Sequence, residues 1–165
     1  MESYALLIGS TLSAGTVIAL AALGLLVNEK AGIVNLGAEG MMLCAALAGF
    51  ATTVVTGNEW LGFAAGALAG AFLAAVFGVL VIWLNTNQYA TGLALSLFGV
   101  GFSAFAGQNF VQAKLPELAQ DGIPYLRDIP LMGPALFDHD PLVYGAMALA
   151  VALIWFLDGT RTGLV

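Results

Sequence analysis

The sequence predicts an all-α, polytopic transmembrane helix bundle of about five spans, and three observations carry that prediction. First, the 165 residues are 61% hydrophobic and only 8% charged, with a mean hydropathy of +0.97. Soluble domains average about 45–50% apolar and about 25% charged residues, so this chain has too few polar groups to cover its own surface and lipid must cover it. Second, the apolar residues fall into long runs almost free of charge, and a helix needs about 20 such residues to cross a bilayer. Third, the alternation expected of outer-membrane barrel strands is absent, and backbone groups in hydrocarbon must pair within their own segment, which makes the runs helices.

The first run, Tyr4–Val27, contains no charge. An acid and no base precede it, and it is too long for the apolar region of a secretory signal, so it reads as a first span. The second run, Ala38–Thr56, is uncharged apart from Glu39, and the third, Trp60–Leu84, is uncharged throughout. The fourth, Tyr89–Phe110, is decorated only with Thr91, Ser96, Ser103, Gln108 and Asn109. The fifth, Leu142–Leu157, is short and needs a turn from either end. The connectors "TGNE" and "NTNQ" are turn chemistry, which makes neighbouring helices antiparallel.

Between the fourth and fifth runs the character changes. Residues 111–141 hold all five prolines together with Lys114, Glu117, Asp121, Arg127, Asp128, Asp138 and Asp140. Proline favours extended and turn geometry. This is a loop outside the membrane, and Ile123, Tyr125, Leu126, Ile129, Leu131, Met132, Leu136 and Phe137 would let it pack as a lid. The whole of 1–165 reads as a single transmembrane domain that includes this loop.

Net charge is −6 from ten acids and four bases, which argues against nucleic acid as a partner. No polybasic segment points to anionic lipid headgroups. The single cysteine, Cys44, excludes an intrachain disulfide and reads as a small packing residue. His139, in "FDHDP", has no second histidine to share a metal with, since metal sites want several ligands in fixed geometry. No Gly-Lys phosphate cradle and no serine or cysteine with a plausible base is present. Any use of ATP therefore requires another chain.

Three stretches bear on function, each with two readings. In the third run, Gly62, Gly66 and Gly70, followed by Ala74 and Gly78, keep a four-residue register, which makes either a groove for close helix approach or merely the ordinary small-residue content of a membrane helix. In "NTNQYATG", Asn87, Gln88 and Thr91 either meet solute or form a polar turn at headgroup level, while Gly92 lines a pathway or lets helices approach. In "NEKAGIVNLGAEGMM", Asn35 is a good N-cap and Glu39 falls in the first turn, where the helix dipole favours an anion. The rival reading of that stretch is a discontinuous helix loosened by Gly32, Gly37 and Gly40. Such breaks occur at depth only where they line a cavity or are packed in protein, and they serve transporters. Glu39, an acid within a membrane segment, is then a functional residue.

Residues Asn28–Phe50, "NEKAGIVNLGAEGMMLCAALAGF", resemble the "ERAG(V/I)xNLGxEGMM"-like text of permease subunits of bacterial ABC importers for nucleosides and simple sugars. Asn87–Gly101 resembles that family's "NQVVxGLALNLxxxG". Ile129–Tyr144 resembles its loop before the next span, and "GTRTGLV" at Gly159–Val165 the start of its "TRxGLxLRAVGENP". The resemblance implies the N-terminal half of a permease in the inner membrane, one that pairs with a second permease subunit, a cytoplasmic ABC ATPase holding ATP and Mg, and an extracytoplasmic solute-binding protein. It implies nucleosides first and simple sugars next as solutes, a cytoplasmic Arg161, an external Pro-rich loop and an external N-terminus. Two rivals stand beside it: a secondary transporter, for which Glu39 is the one titratable candidate, and a non-transporting scaffold or inert permease fragment.

Overall fold

The computed structural model describes residues 2–114 and 141–160. The expectations for the Pro-rich loop, His139 and Arg161 lie outside the described residues. Within them every regular element is helical. Helix α1 spans Glu2–Lys30, α2 Ala38–Thr56 and α3 Glu59–Gly78, the last continued by a π turn at Val79–Trp83. Helix α4 spans Gln88–Gly107, continued by a 3-10 turn at Gln108–Phe110, and α5 spans Pro141–Gly159. Four stretches are long and apolar enough to cross a membrane: Gly9–Lys30, Ala38–Thr56, Glu59–Trp83 and Gln88–Phe110. The apolar part of α5, Val143–Gly159, is shorter. Its 19 residues rise about 28 Å at 1.5 Å each, close to the ~30 Å hydrocarbon core, so this run does take residues from both ends. The protein is an all-α, multi-pass membrane protein.

The chain divides into two compact units, one of Val27–Leu118 and one of Met1–Leu26 with Ala119–Val165. In the second of these, α1 carries its hydroxyls along its own backbone: Thr11 and Thr16 donate to the carbonyls of Leu7 and Leu12, a bond that lets a polar side chain sit in an apolar helix.

The unit Val27–Leu118 is a three-helix packet built on α2. Helix α3 runs antiparallel to it, and helix α4 parallel. The α2–α3 seam is made of small residues: a Cβ at Gly66 would lie 2.9 Å from the Ala45 carbonyl oxygen, and one at Gly49 3.1 Å from that of Gly62. Gly62 faces the Thr53 hydroxyl, and Gly70 faces Ala45 at 3.6 Å. The Thr53 hydroxyl donates to the Gly49 carbonyl at 2.9 Å, so it is satisfied within this contact. Gly78 does not belong to the seam: no atom lies within 4 Å of a Cβ built there. Steps of four residues overshoot the 3.6-residue turn by about 40° each, so by Gly78 the row has rotated away from α2. Beyond the glycines, Met41 and Cys44 of α2 bury against Leu73 and Phe77 of α3, with Ile33, Val81 and Leu95 packed around them.

The turn from α1 into this packet is fixed by Gly32, whose φ is +78°. The Gly32 N–H donates to the Glu29 carbonyl at 3.0 Å and the Ile33 N–H to the Asn28 carbonyl at 2.9 Å. That is a Schellman motif, and only glycine enters its left-handed position freely. Asn28, Glu29 and Lys30 therefore belong to α1, and the connector is only residues 31–37. The break lies between two helices, not within one.

Exposed Trp60 opens α3, while exposed Trp83 and Tyr89 flank the opposite end of the packet; indole and phenol rings favour the two membrane–water interfaces. This places Leu36 and Leu84 at one face of the bilayer and Glu59 at the other. With Cys44→Ala as background, an impermeant thiol reagent added to one side is expected to modify Leu36→Cys and Leu84→Cys together and Glu59→Cys only from the other side. Modification of all three from the same side would refute the antiparallel arrangement of α3.

Candidate functional site

The two motif stretches "IVNLGAEG" and "NTNQYATG" are far apart in sequence and meet at the shared starting end of α2 and α4. Their backbones approach because both helices present glycine there. A Cβ on Gly37 would lie 3.0 Å from the Gly92 carbonyl oxygen, and one on Gly92 2.9 Å from the Leu36 amide nitrogen. One turn further on, a Cβ on Gly40 would lie 2.6 Å from both the Leu95 oxygen and Ser96 Cα, and one on Gly99 would meet the Gly40 backbone. The Cys44 thiol follows, 3.9 Å from the Gly99 carbonyl.

Short connectors leave backbone groups to satisfy, and the amides of this corner do it. Gln88 Oε1 accepts from the Val34 N–H at 3.0 Å, tying the first turn of α4 to the segment ahead of α2. Asn35 is buried; its Oδ1 accepts from the Gly37 N–H at 2.9 Å and its Nδ2 donates to Met41 Sδ at 3.8 Å. The sequence reading made Asn35 the N-cap, whereas the residue at the N-cap is Gly37, which has no side chain to cap with. Asn35 instead closes an Asx turn one step earlier and satisfies the N–H of that capping glycine.

Asn87 is the N-cap of α4, its Oδ1 accepting from the Tyr89 and Ala90 N–H groups at 3.0 and 3.1 Å. Ahead of it the π turn closes with Leu84 N–H to the Val79 carbonyl at 3.1 Å, and Asn85 takes a φ of +49°. The Thr86 hydroxyl lies 2.9 Å from that of Thr91 and donates to the Leu80 carbonyl at 2.8 Å. Two shallow depressions flank this corner. One of about 360 Å³ is lined by Val81 and residues Asn85 to Tyr89, and one of about 440 Å³ by Leu80, Ala90, Thr91, Ala94 and Leu95.

The corner thus brings together Asn35, Asn87, Gln88 and Thr91, and every one of them is engaged by a neighbour in the fold. Glu39 is different. It sits in the first turn of α2, exposed, and among the described residues it makes no hydrogen bond or ion pair. Sequence reasoning passed over the Gly40–Gly99 approach; its signal was Gly92 and Gly99, seven residues apart and so on one helix face. Among the described residues no cluster of three metal-ligating side chains occurs, and no buried side-chain nitrogen or oxygen lacks a partner.

Residues 7–165 match the family described as branched-chain amino acid transport system / permease component. The chain is 45% identical over 160 residues to a Haloferax volcanii protein provisionally named a glucose ABC transporter permease, covering 94% of this chain and 48% of that one. It is 28% identical to the guanosine ABC transporter permease protein of Bacillus subtilis, covering 95% of this chain and 53% of the relative. It is also 28% identical to a nucleoside ABC transporter permease protein of Lactococcus lactis, covering 99% and 55%. The chain spans about half the length of the curated relatives it matches. No solved structure matches it. A family match running from residue 7 to the last residue, alongside relatives named as ABC transporter permeases, makes the chain a member of this permease family.

Proposed function

We propose that the protein is a translocation subunit of an ATP-driven ABC importer and that it carries a neutral, hydroxyl-rich solute, a simple sugar or a nucleoside. The observation that carries this reading is the similarity along 94–99% of the chain to relatives named for glucose, guanosine and nucleosides. The charge pattern favours the same solutes over the amino acids of the family's description. Within α2, α3 and α4 the only acidic or basic side chains are Glu39 and Glu59, both acids in a first helical turn, and a zwitterion would bring a carboxylate with no cationic side chain in these helices to receive it. In this reading a second permease subunit completes the pathway, a cytoplasmic ATPase binds ATP and Mg, and an extracytoplasmic solute-binding protein delivers the solute.

The test is uptake. The full-length protein and its partners, expressed in cells that lack their own sugar and nucleoside importers, are expected to accumulate labelled glucose or guanosine, and to stop when the ATPase subunit is inactivated. Uptake of leucine without either of these would replace the proposed solute class. Uptake that survives loss of the ATPase would replace the importer class.

A further inference from the structure

The end of α3 and the connector after it hold a hydrogen-bond arrangement that an uninterrupted α-helix would not contain. In an α-helix the Leu84 N–H would donate to the Leu80 carbonyl, four residues back. It donates instead to the Val79 carbonyl at 3.1 Å, which closes the π turn. The Leu80 carbonyl is taken by Thr86, whose N–H donates to it at 3.1 Å and whose hydroxyl donates to it at 2.8 Å. A carbonyl oxygen has two lone pairs, and Thr86 fills both. Asn85 makes this possible, because its φ of +49° turns the chain back on itself. Asparagine is among the few non-glycine residues that enter that region readily.

The Thr86 hydroxyl has one proton, and Leu80 receives it. In its 2.9 Å contact with the Thr91 hydroxyl, Thr86 is therefore the acceptor and Thr91 the donor. A directed chain runs from the first turn of α4, through Thr86, to the π turn at the end of α3. Thr86 is exposed, so water competes for these bonds and each is weak on balance. None of the five residues of the π turn is buried, and only Val81 packs against the Met41–Phe77 cluster, so packing does little to fix the register. Two residues beyond Thr86, Gln88 holds the Val34 N–H at 3.0 Å, so a shift of the connector reaches the segment ahead of α2.

We propose that the end of α3 is a two-register element latched by Thr86. With the latch closed, the last turn is π. When Thr86 releases the Leu80 carbonyl, the Leu84 N–H moves to it, the Trp83 N–H takes the Val79 carbonyl freed in this way, and the turn rewinds as α-helix. Leu84 has a partner in either register, whereas the Thr86 N–H loses its partner to the change. Rewinding takes up one residue, which rotates the connector by about 100° and moves it by about 1.5 Å relative to α3. Gln88 passes that movement to the corner where α2 and α4 start. Such an element has two discrete arrangements rather than a continuous bend, which is what a conformational switch requires. Thr91 is a positioning residue of the latch, since it acts through Thr86.

The test is amide hydrogen exchange at single-residue resolution in the full-length protein, with each rate corrected for the intrinsic rate of its residue. Thr86→Val removes the hydroxyl at nearly constant shape and keeps the N–H. It is expected to speed exchange at residue 86 about three- to tenfold, the ratio that one lost hydrogen bond supports, while Leu84 stays as protected as before. Thr86→Ser keeps the hydroxyl and is expected to exchange like the unaltered protein. Thr91→Val, which leaves Thr86 in place, is expected to speed residue 86 by a smaller factor. Spin labels at Leu84→Cys and Leu36→Cys, with Cys44→Ala as background, are expected to give a second distance, displaced by several ångströms, when Thr86→Val is added. An unchanged rate at residue 86 in both valine variants overturns the proposal. Faster exchange at Leu84 as well also overturns it, because the end of α3 then frays instead of changing register. A faster residue 86 with a single, unshifted label distance overturns it too, because the connector then loosens without rewinding. None of these readouts depends on the transported solute.

Discussion

Replacing Gly99 by valine is expected to remove nearly all folded protein, while Gly78→Ala in the same helix packet leaves folded yield and thermal stability at least as high as before. At Gly99 even a single methyl would occupy the space of the Gly40 backbone, and at Gly40 a methyl would press on Leu95 and Ser96 backbone atoms at 2.6 Å. Flexible side-chain tips can yield to such contacts, but two helix backbones can yield only by separating. Separation breaks the Cys44–Gly99 contact, the Gly37–Gly92 approach and the Gln88–Val34 hydrogen bond, because all lie along the same line of contact. Overpacking a well-filled core costs about 1–3 kcal/mol, and valine here adds three carbons to a site with room for none. At Gly78 nothing lies within 4 Å, and alanine favours the helix by about 1 kcal/mol over glycine. Monodisperse protein after detergent extraction, followed by a thermal ramp, reads both variants. Wild-type yield and melting for Gly99→Val would show that α2 and α4 are not held at this distance in the folded protein.

The contrast between these two glycines also shows what was legible in the sequence. The spans were, because apolar runs of membrane length have one economical conformation, and the run limits agree with the helices to within a few residues. The four-residue register of Gly62, Gly66 and Gly70 pointed to close helix approach, and α2 fills that approach. Its end before Gly78 was legible too, since four-residue steps drift about 40° each in a 3.6-residue helix, but periodicity could not show which helix fills the row. Nor could it show which helix the α4 glycines meet: Gly40 and Gly99 come together only through the parallel placement of α2 and α4, a long-range fact. The polar candidates were found as a set but not sorted. Asn35, Gln88 and Asn87 are the residue types that solute contact and backbone capping both demand, and only the positions of the N–H groups of Val34, Gly37, Tyr89 and Ala90 separate those uses.

That sorting leads to the second large effect. Asn35→Ala is expected to lower stability by about 1–2 kcal/mol, the usual cost of deleting a side chain that serves a helix N-terminus and of leaving a buried N–H unpaired. Uptake should fall in proportion to the folded protein, with KM unchanged for what remains. Asn35→Asp, which keeps the acceptor for the Gly37 N–H but cannot donate to Met41 Sδ, should recover part of the loss. Glu39→Gln is expected to do the reverse: folded yield and melting stay as they are, because Glu39 is exposed and unbonded among the described residues, while KM for the solute rises several-fold. An Asn35→Ala protein of normal stability with a raised KM would put Asn35 in contact with solute. A Glu39→Gln protein with unchanged KM and uptake would reduce Glu39 to a charge that favours the start of α2. The two residues are four apart on one motif and would be expected to act together on sequence grounds. Burial and hydrogen bonding tie Asn35 into the fold and leave Glu39 exposed, and the KM-against-stability split is the measurement on which their proposed roles differ.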